Sequence, residues 1–292
     1  MKVSNFFTML SLMAMPLLLG AQSPINGFMQ GKGKGNVVVS YFTESYDEVF
    51  LVPQKIQNVP VFGEVTLNSV SLFGTYGLSD QLDVIVNLPY ITAQGSASQE
   101  LLDDLGFDGK RSGLQDLSVY LKYNPLTYKV GNGTLRFVGA LGLATPLSNY
   151  QVNEGLQSIL AIGNRATSLN TTLLAHYQTN MGLFATAQAS YSLRNNDVPN
   201  AILSEIKVGY GCKFLYADAW IGSQRSTSGV DILGLGFEGF FPATKVNYTR
   251  TGINLFVPVV KGLGISAGAN TYLNGRNVGD ATGFYGGIVL SY

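Results

Sequence analysis

The stretch "GFYGGIVLSY", residues 283–292, alternates strictly along an extended chain. Phe284, Gly286, Ile288, Leu290 and Tyr292 fall on one side, and Tyr285, Gly287, Val289 and Ser291 on the other. The first face is greasy; the second is smaller and more polar. A soluble sheet that ended on such a strand would offer an unpaired edge to other chains. A closed barrel has no edge. Reading outward from this stretch, the sequence shows twelve period-two segments: 36–44, 67–78, 81–90, 114–123, 134–145, 168–179, 182–193, 202–211, 215–223, 245–257, 262–273 and 282–292. Most match the roughly 9–11 residues that a tilted strand needs to cross a bilayer, and exceed the ~5–6 of ordinary sheets.

The residues on the two faces identify the solvent on each side. In "LDVIVNLPY" (82–90), Leu82, Val84, Val86, Leu88 and Tyr90 oppose Asp83, Ile85 and Asn87. In "GLFATAQASYSL" (182–193), Leu183, Ala185, Ala187, Ala189, Tyr191 and Leu193 oppose Thr186, Gln188, Ser190 and Ser192. A soluble sandwich would turn Lys, Glu and Arg to water on its polar face. Here that face is mostly Ser, Thr, Asn, Gln and Gly, which suits a narrow barrel interior.

Composition supports this assignment. Charged residues make up only 12% of the chain, against about 25% in ordinary soluble domains. The 35 Gly, 16 Tyr and 16 Phe beside a single Trp fit twisted strands with aromatic girdles rather than helices. Net charge is zero, with 18 basic and 18 acidic residues, so electrostatics give no footing to a nucleic-acid partner. Cys212 is alone and cannot form an internal disulfide; a buried, inert thiol is expected.

The connections predict which end is which. Long stretches at 45–66, 91–113, 146–167 and 224–244 alternate with shorter ones at 79–80, 124–133, 180–181, 212–214 and 258–261. Outer-membrane barrels place short turns on the periplasmic side and long loops outside, and an even strand number returns both termini to the periplasm. The expected fold is therefore all-β: a transmembrane antiparallel up-and-down β-barrel of about twelve strands spanning 36–292. Ahead of it, Lys2 precedes an apolar run ending at Ala21 that is shorter than the ~20 residues of a spanning helix and contains Pro16. Residues 1–21 are expected to be a cleaved signal peptide and 22–35 a short periplasmic leader.

Two stretches carry a family likeness: "GTYGLSDQLDVIVNLPYITA" (74–93) and "SGLQDLSVYLKYNPL" (112–126). Tyr76, Gly77, Leu78, Asp80, Leu82, Asp83, Leu88, Pro89 and Tyr90 stand in the first motif, and Gly113, Leu114, Asp116, Leu117, Lys122 and Tyr123 in the second. Over residues 74–147 the chain resembles the outer-membrane family named for the meta-cleavage pathway of phenol degradation. The resemblance implies a channel for small aromatic or other hydrophobic compounds, related in kind to long-chain fatty-acid transporters. Gln115 stands where the family has Gly, and the 22–35 leader is short for the hatch of fatty-acid transporters.

Candidate site residues follow from the inward phase. Asp83, Asp116, Lys122, Glu205, Lys207, Asp218 and Arg250 are charged residues on inward faces. They either constrict a pore and set its selectivity, or pair across strands inside a small barrel. Asp83 and Asp116 are expected to share a network near the periplasmic turns. Phe284, Ile288, Leu290 and Tyr292 are expected to form the C-terminal signal read by the barrel-assembly machinery. His176 has the inward phase, the wrong face for a lipase placed against lipid, and no local Ser or acid completes a triad. "DDLGFDG" (103–109) lacks the spacing of a calcium loop, and "GKGKG" (31–35) lacks the helix and the hydroxyl of a phosphate cradle, so it reads as a flexible leader. The expectation is a non-enzymatic outer-membrane channel without cofactor, sitting in lipid and passing small, hydrophobic or aromatic molecules by passive diffusion. The alternative is a barrel that does not transport and uses its loops for partners or for envelope structure.

Overall fold

The computed structural model describes residues 24–52 and 54–292, so the expected signal peptide lies outside the described residues. Twelve antiparallel strands form the wall. They are β1 Gly35–Tyr46, β2 Val65–Gly77, β3 Leu82–Gly95, β4 (in two pieces, Lys110–Leu114 and Asp116–Val130), β5 Gly133–Pro146, β6 Ser168–Thr179, β7 Leu183–Arg194, β8 Ala201–Cys212, β9 Leu215–Ser226, β10 Asn247–Val260, β11 Leu263–Arg276 and β12 Thr282–Ser291. Each pairs with its sequence neighbours, and β12 returns to β1 in a ladder running from Asn36 opposite Ser291 to Ser45 opposite Thr282. The terminal strand thus finds its partner in the first, and the wall has no open edge.

Burial is inverted relative to a water-soluble protein. Leu173, Ile253 and Ile288 are 68%, 61% and 55% exposed, while Asp83, Lys122 and His176 are fully buried. Backbone groups are satisfied around the closed ladder, so an apolar outer surface can meet hydrocarbon without an unpaired N–H or C=O. Phe284, Ile288, Leu290 and Tyr292 all face outward, as the alternation predicts, and Tyr285 and Val289 face in.

Two departures from the expected strands have the same chemical cause. Residues 124–133 were expected to connect two strands. Instead β4 runs on to Val130 through a bulge between Tyr123 and Leu126, and the turn into β5 is only Gly131 and Asn132. Pro125 lacks an N–H for the ladder and sits at that bulge, where none is needed. Likewise Pro89 on β3 has no N–H to give, and opposite it β4 is interrupted at Gln115, whose N–H donates to the Pro89 carbonyl at 3.0 Å. Elsewhere the turns are tight. Gly182 has φ +98°, and a Cβ there would overlap the Gly211 carbonyl, so this turn requires glycine.

The loops at the opposite end carry structure of their own. Glu48–Phe50, Lys55–Gln57 and Val278–Gly279 form a small three-stranded sheet. Gln99–Leu105 is a helix started by Ser98, whose Oγ accepts from the Leu101 N–H, and stopped by Gly106 in the left-handed region. Val59, Phe62, Leu102, Tyr150, Leu160 and Ile162 pack into a hydrophobic cluster that draws three loops together. Loops that could have stood in solvent are thereby folded across the barrel's end.

Candidate functional site: a plugged lumen with a loop-end cavity

At the turn end, the stretch expected to be a flexible leader is a folded plug. Ile25, Asn26 and Phe28 are buried, and Ile25 and Phe28 belong to one cluster with the inward residues Val38, Phe73, Ile85 and Phe184. The Phe28 ring meets His176 at 4.5 Å, Phe184 at 5.2 Å and Tyr216 at 6.1 Å between centroids, each edge to face. Gly27 lies so close to the His176 ring that a Cβ there would overlap it. "GKGKG" is ordered as well: Gly33 N–H donates to the Gly77 carbonyl at 2.8 Å, Gly77 N–H to Lys34 at 2.9 Å, and Lys32 N–H to Asp80 Oδ1 at 3.0 Å. The physical reason is that Ile25 and Phe28 have no apolar surroundings outside, and the lumen wall offers an aromatic surface of matching size.

Two of the expected site residues hold that plug. Lys122 Nζ lies 2.9 Å from Asp83 Oδ2, both side chains wholly buried, and also donates to the Phe28 carbonyl at 2.5 Å. Asp83 in turn accepts from the Gln30 N–H, 3.3 Å to either oxygen. An ion pair with its remaining bonds directed to a backbone segment fixes that segment's position. The expected network between Asp83 and Asp116 does not form. Asp83 opens β3 just after a tight turn, whereas Asp116 stands opposite Pro146 where β4 descends from a loop, so they lie at opposite ends of the barrel. Both occupy inward phases, but the direction of each strand separates them.

The other charged residues are distributed along the interior. Glu205 Oε1 and Lys207 Nζ are 3.6 Å apart on β8. Asp218 accepts from the Tyr216 hydroxyl and from Asn254 Nδ2, each at 2.7 Å, and Asn254 Oδ1 accepts from the Tyr285 hydroxyl at 2.7 Å. Near the loop end, Arg250 donates to Glu44 Oε2 at 2.9 Å and to Asn270, with its guanidinium 4.1 Å over the Tyr272 ring. Asp116 is half-buried and accepts from the Tyr150 hydroxyl at 2.7 Å. His176 Nδ1 is 2.8 Å from Thr186 Oγ1, and its Nε2 has no partner among the described residues. Sequence reasoning missed Glu44, Arg136 and Arg194, although each has the inward phase of its strand; it missed Phe28 because periodicity applies to strands and not to the segment before them.

Toward the loop end, a cavity of about 340 Å³ lies among inward side chains and loop residues. Its wall mixes polar side chains such as Asn170, Ser192 and Gln224 with Tyr120, Val198 and Pro242. Among the described residues no group of acidic, His or Cys side chains gathers as a metal would require.

These features define a class: a closed twelve-stranded β-barrel of outer-membrane type with a plugged interior. No family model and no curated protein matches the chain. Among solved structures it is similar to an outer membrane channel from Pseudomonas putida F1, at 14% identity and TM-score 0.69 over 89% of this chain and 96% of that one. The NanC porin aligns at 10% identity and TM-score 0.49 over 87% of this chain and 98% of that one. An outer membrane phospholipase A from Escherichia coli aligns at 10% and 0.44 over 91% and 93%. At such identities the first likeness is one of fold, and the latter two are too distant to carry an argument.

Proposed function

We propose that this protein is an outer-membrane channel that passes small molecules down their own gradient, and that it belongs with the phenol meta-pathway type of barrel that its motifs resemble. The observation that carries this reading is the nature of the closure. At the turn end a segment outside the strands, residues 24–30, packs among the inward side chains of the wall and is held by one buried ion pair, by backbone hydrogen bonds and by ring contacts. A filling that is a chain segment can leave without breaking any barrel strand. What it would uncover is aromatic: Phe184, Tyr216, Phe256 and Tyr285. This supports small hydrophobic or aromatic permeants. The same reading makes residues 1–21 the export signal, and makes Phe284, Ile288, Leu290 and Tyr292 the face presented to the assembly machinery.

A second reading, a barrel that does not transport, draws on the loop roof, whose hydrophobic cluster lies over the other end. Uptake into liposomes separates the two. Purified protein is reconstituted, and rapid entry of phenol is compared with that of a sugar of similar size, with the protein-free rate subtracted. Protein-dependent phenol entry with little sugar entry is the expected result. Entry of both alike would make the barrel a general porin, and entry of neither would leave the non-transporting reading.

A further inference from the structure

The loop-end cavity contains an arginine that no carboxylate of the described residues contacts. Arg194 ends β7 on the cavity wall, half-buried. Its Nε donates to Ser192 Oγ at 3.1 Å, Nη1 to the Pro199 carbonyl at 3.4 Å and Nη2 to Gln224 Oε1 at 3.4 Å. All three acceptors are neutral, and two of the bonds are long. Among the described residues no Asp or Glu oxygen reaches salt-bridge distance of Arg194, whereas Arg250 and Arg111, inward arginines at the same end, have Glu44 at 2.9 Å and Glu154 at 2.7 Å. The one other charged residue of the lining is Asp116, already bonded to the Tyr150 hydroxyl.

A guanidinium drawn out of bulk water and given only neutral partners remains under-compensated. Its planar fork also matches a carboxylate, which can take two parallel N–H···O bonds from it. The cavity has the size of a small-ligand site; most of its lining is polar, and Tyr120, Val198 and Pro242 supply an apolar wall against which an organic body can lie. We propose that this cavity is a binding subsite for a small organic carboxylate, with Arg194 holding the carboxylate group and the apolar wall holding the remainder. The inference deepens the channel reading and rests on it for the onward passage of the bound acid; the binding itself does not depend on passage.

The test is equilibrium binding to the detergent-purified full chain, using benzoate, its uncharged counterpart benzamide, and inorganic phosphate. Benzoate is expected to saturate one site and to bind about tenfold or more tightly than benzamide, the scale of one charge-assisted contact. Arg194→Gln should reduce benzoate to the benzamide level, and Arg194→Lys should retain part of the difference. Benzoate binding no tighter than benzamide would overturn the proposal. So would phosphate binding as well as benzoate, or benzoate binding that a folded Arg194→Gln protein leaves unchanged. The acid and amide comparison on the unaltered protein decides the matter even if the variants do not fold. The two readings fail separately. Benzoate that binds but enters liposomes no faster than without protein counts against the channel alone, and protein-dependent phenol entry with no acid preference counts against the subsite alone.

Discussion

At its turn end the lumen is filled by a segment of the chain's own N-terminal stretch, whereas at its loop end it is roofed by loops that pack on one another. The first closure is made against the wall: Phe28 on His176 and Phe184, and Lys122 bridging the Phe28 carbonyl and Asp83. The second has a core at the rim, where Phe62, Leu102 and Leu160 of the loops pack with one another and with Val65 and Ala93 at the ends of β2 and β3. On the channel reading proposed above, the plug would leave with every strand pairing of the wall intact, whereas the roof would have to shift as a unit. The difference also assigns the interior charges different work, since Asp83 and Lys122 position a segment while Arg194 faces open space.

The largest effect is expected on removing the plug. Deletion of residues 24–30 should raise single-channel conductance in planar bilayers severalfold. An unchanged conductance would mean that the roof alone closes the barrel, and the contrast between the ends would fail.

Asp83→Ala should come next, because it leaves the Lys122 charge buried and unpaired. A loss of about 3–5 kcal/mol is expected in denaturant unfolding from lipid vesicles, with a smaller loss when Lys122→Met accompanies it. A loss in the double variant equal to the sum of the Asp83→Ala and Lys122→Met losses would show that the pair is not coupled.

Phe28→Ala should weaken the hold on the plug by about 3 kcal/mol while sparing the strands. Bilayer recordings should then show intermittent openings that approach the conductance of the deletion. Leu160→Ala, in the roof, should cost the loops about 2 kcal/mol, read as faster protease cleavage within 147–167. If it opened the channel as Phe28→Ala does, the two closures would be one cooperative unit.

The smallest effect concerns pH at the roof's margin. Two hydrogen bonds from Arg276, at 2.7 and 2.5 Å, hold the Asp231 carboxyl at about 2, below its ordinary 3.8. A lowered folded value means that the stabilisation is present above the ordinary value and is lost as pH falls through about 2. Pepsin cleavage of the 227–246 loop should accelerate between about pH 4 and pH 2 in the unaltered protein, and Asp231→Asn should flatten that dependence. No difference between the two would remove Asp231 from the account of loop order.

Much of the wall is legible in the sequence. The inward phase of Asp83, Lys122, Glu205, Lys207, Asp218 and Arg250 follows from alternation alone, and each is buried in the barrel. The continuation of β4 through Pro125 was hidden, because a proline reads as a break whether it ends a strand or occupies a bulge. Asp83 and Asp116 were wrongly grouped because phase gives the face of a strand and not the height along it. Arg194 carried the same inward phase as Ser192 and Gln188 but stood at the edge of its segment, where boundaries are least certain.

Alternation, strand length and the rhythm of long and short connections determined a closed antiparallel barrel with a greasy exterior, because each is a local consequence of where a side chain points on a pleated strand. Only the tertiary structure decided what fills that barrel. The docking of Phe28 on His176, the bond from Lys122 to its carbonyl and the cavity around Arg194 depend on contacts between residues far apart in the chain, and no periodicity encodes which of them will meet.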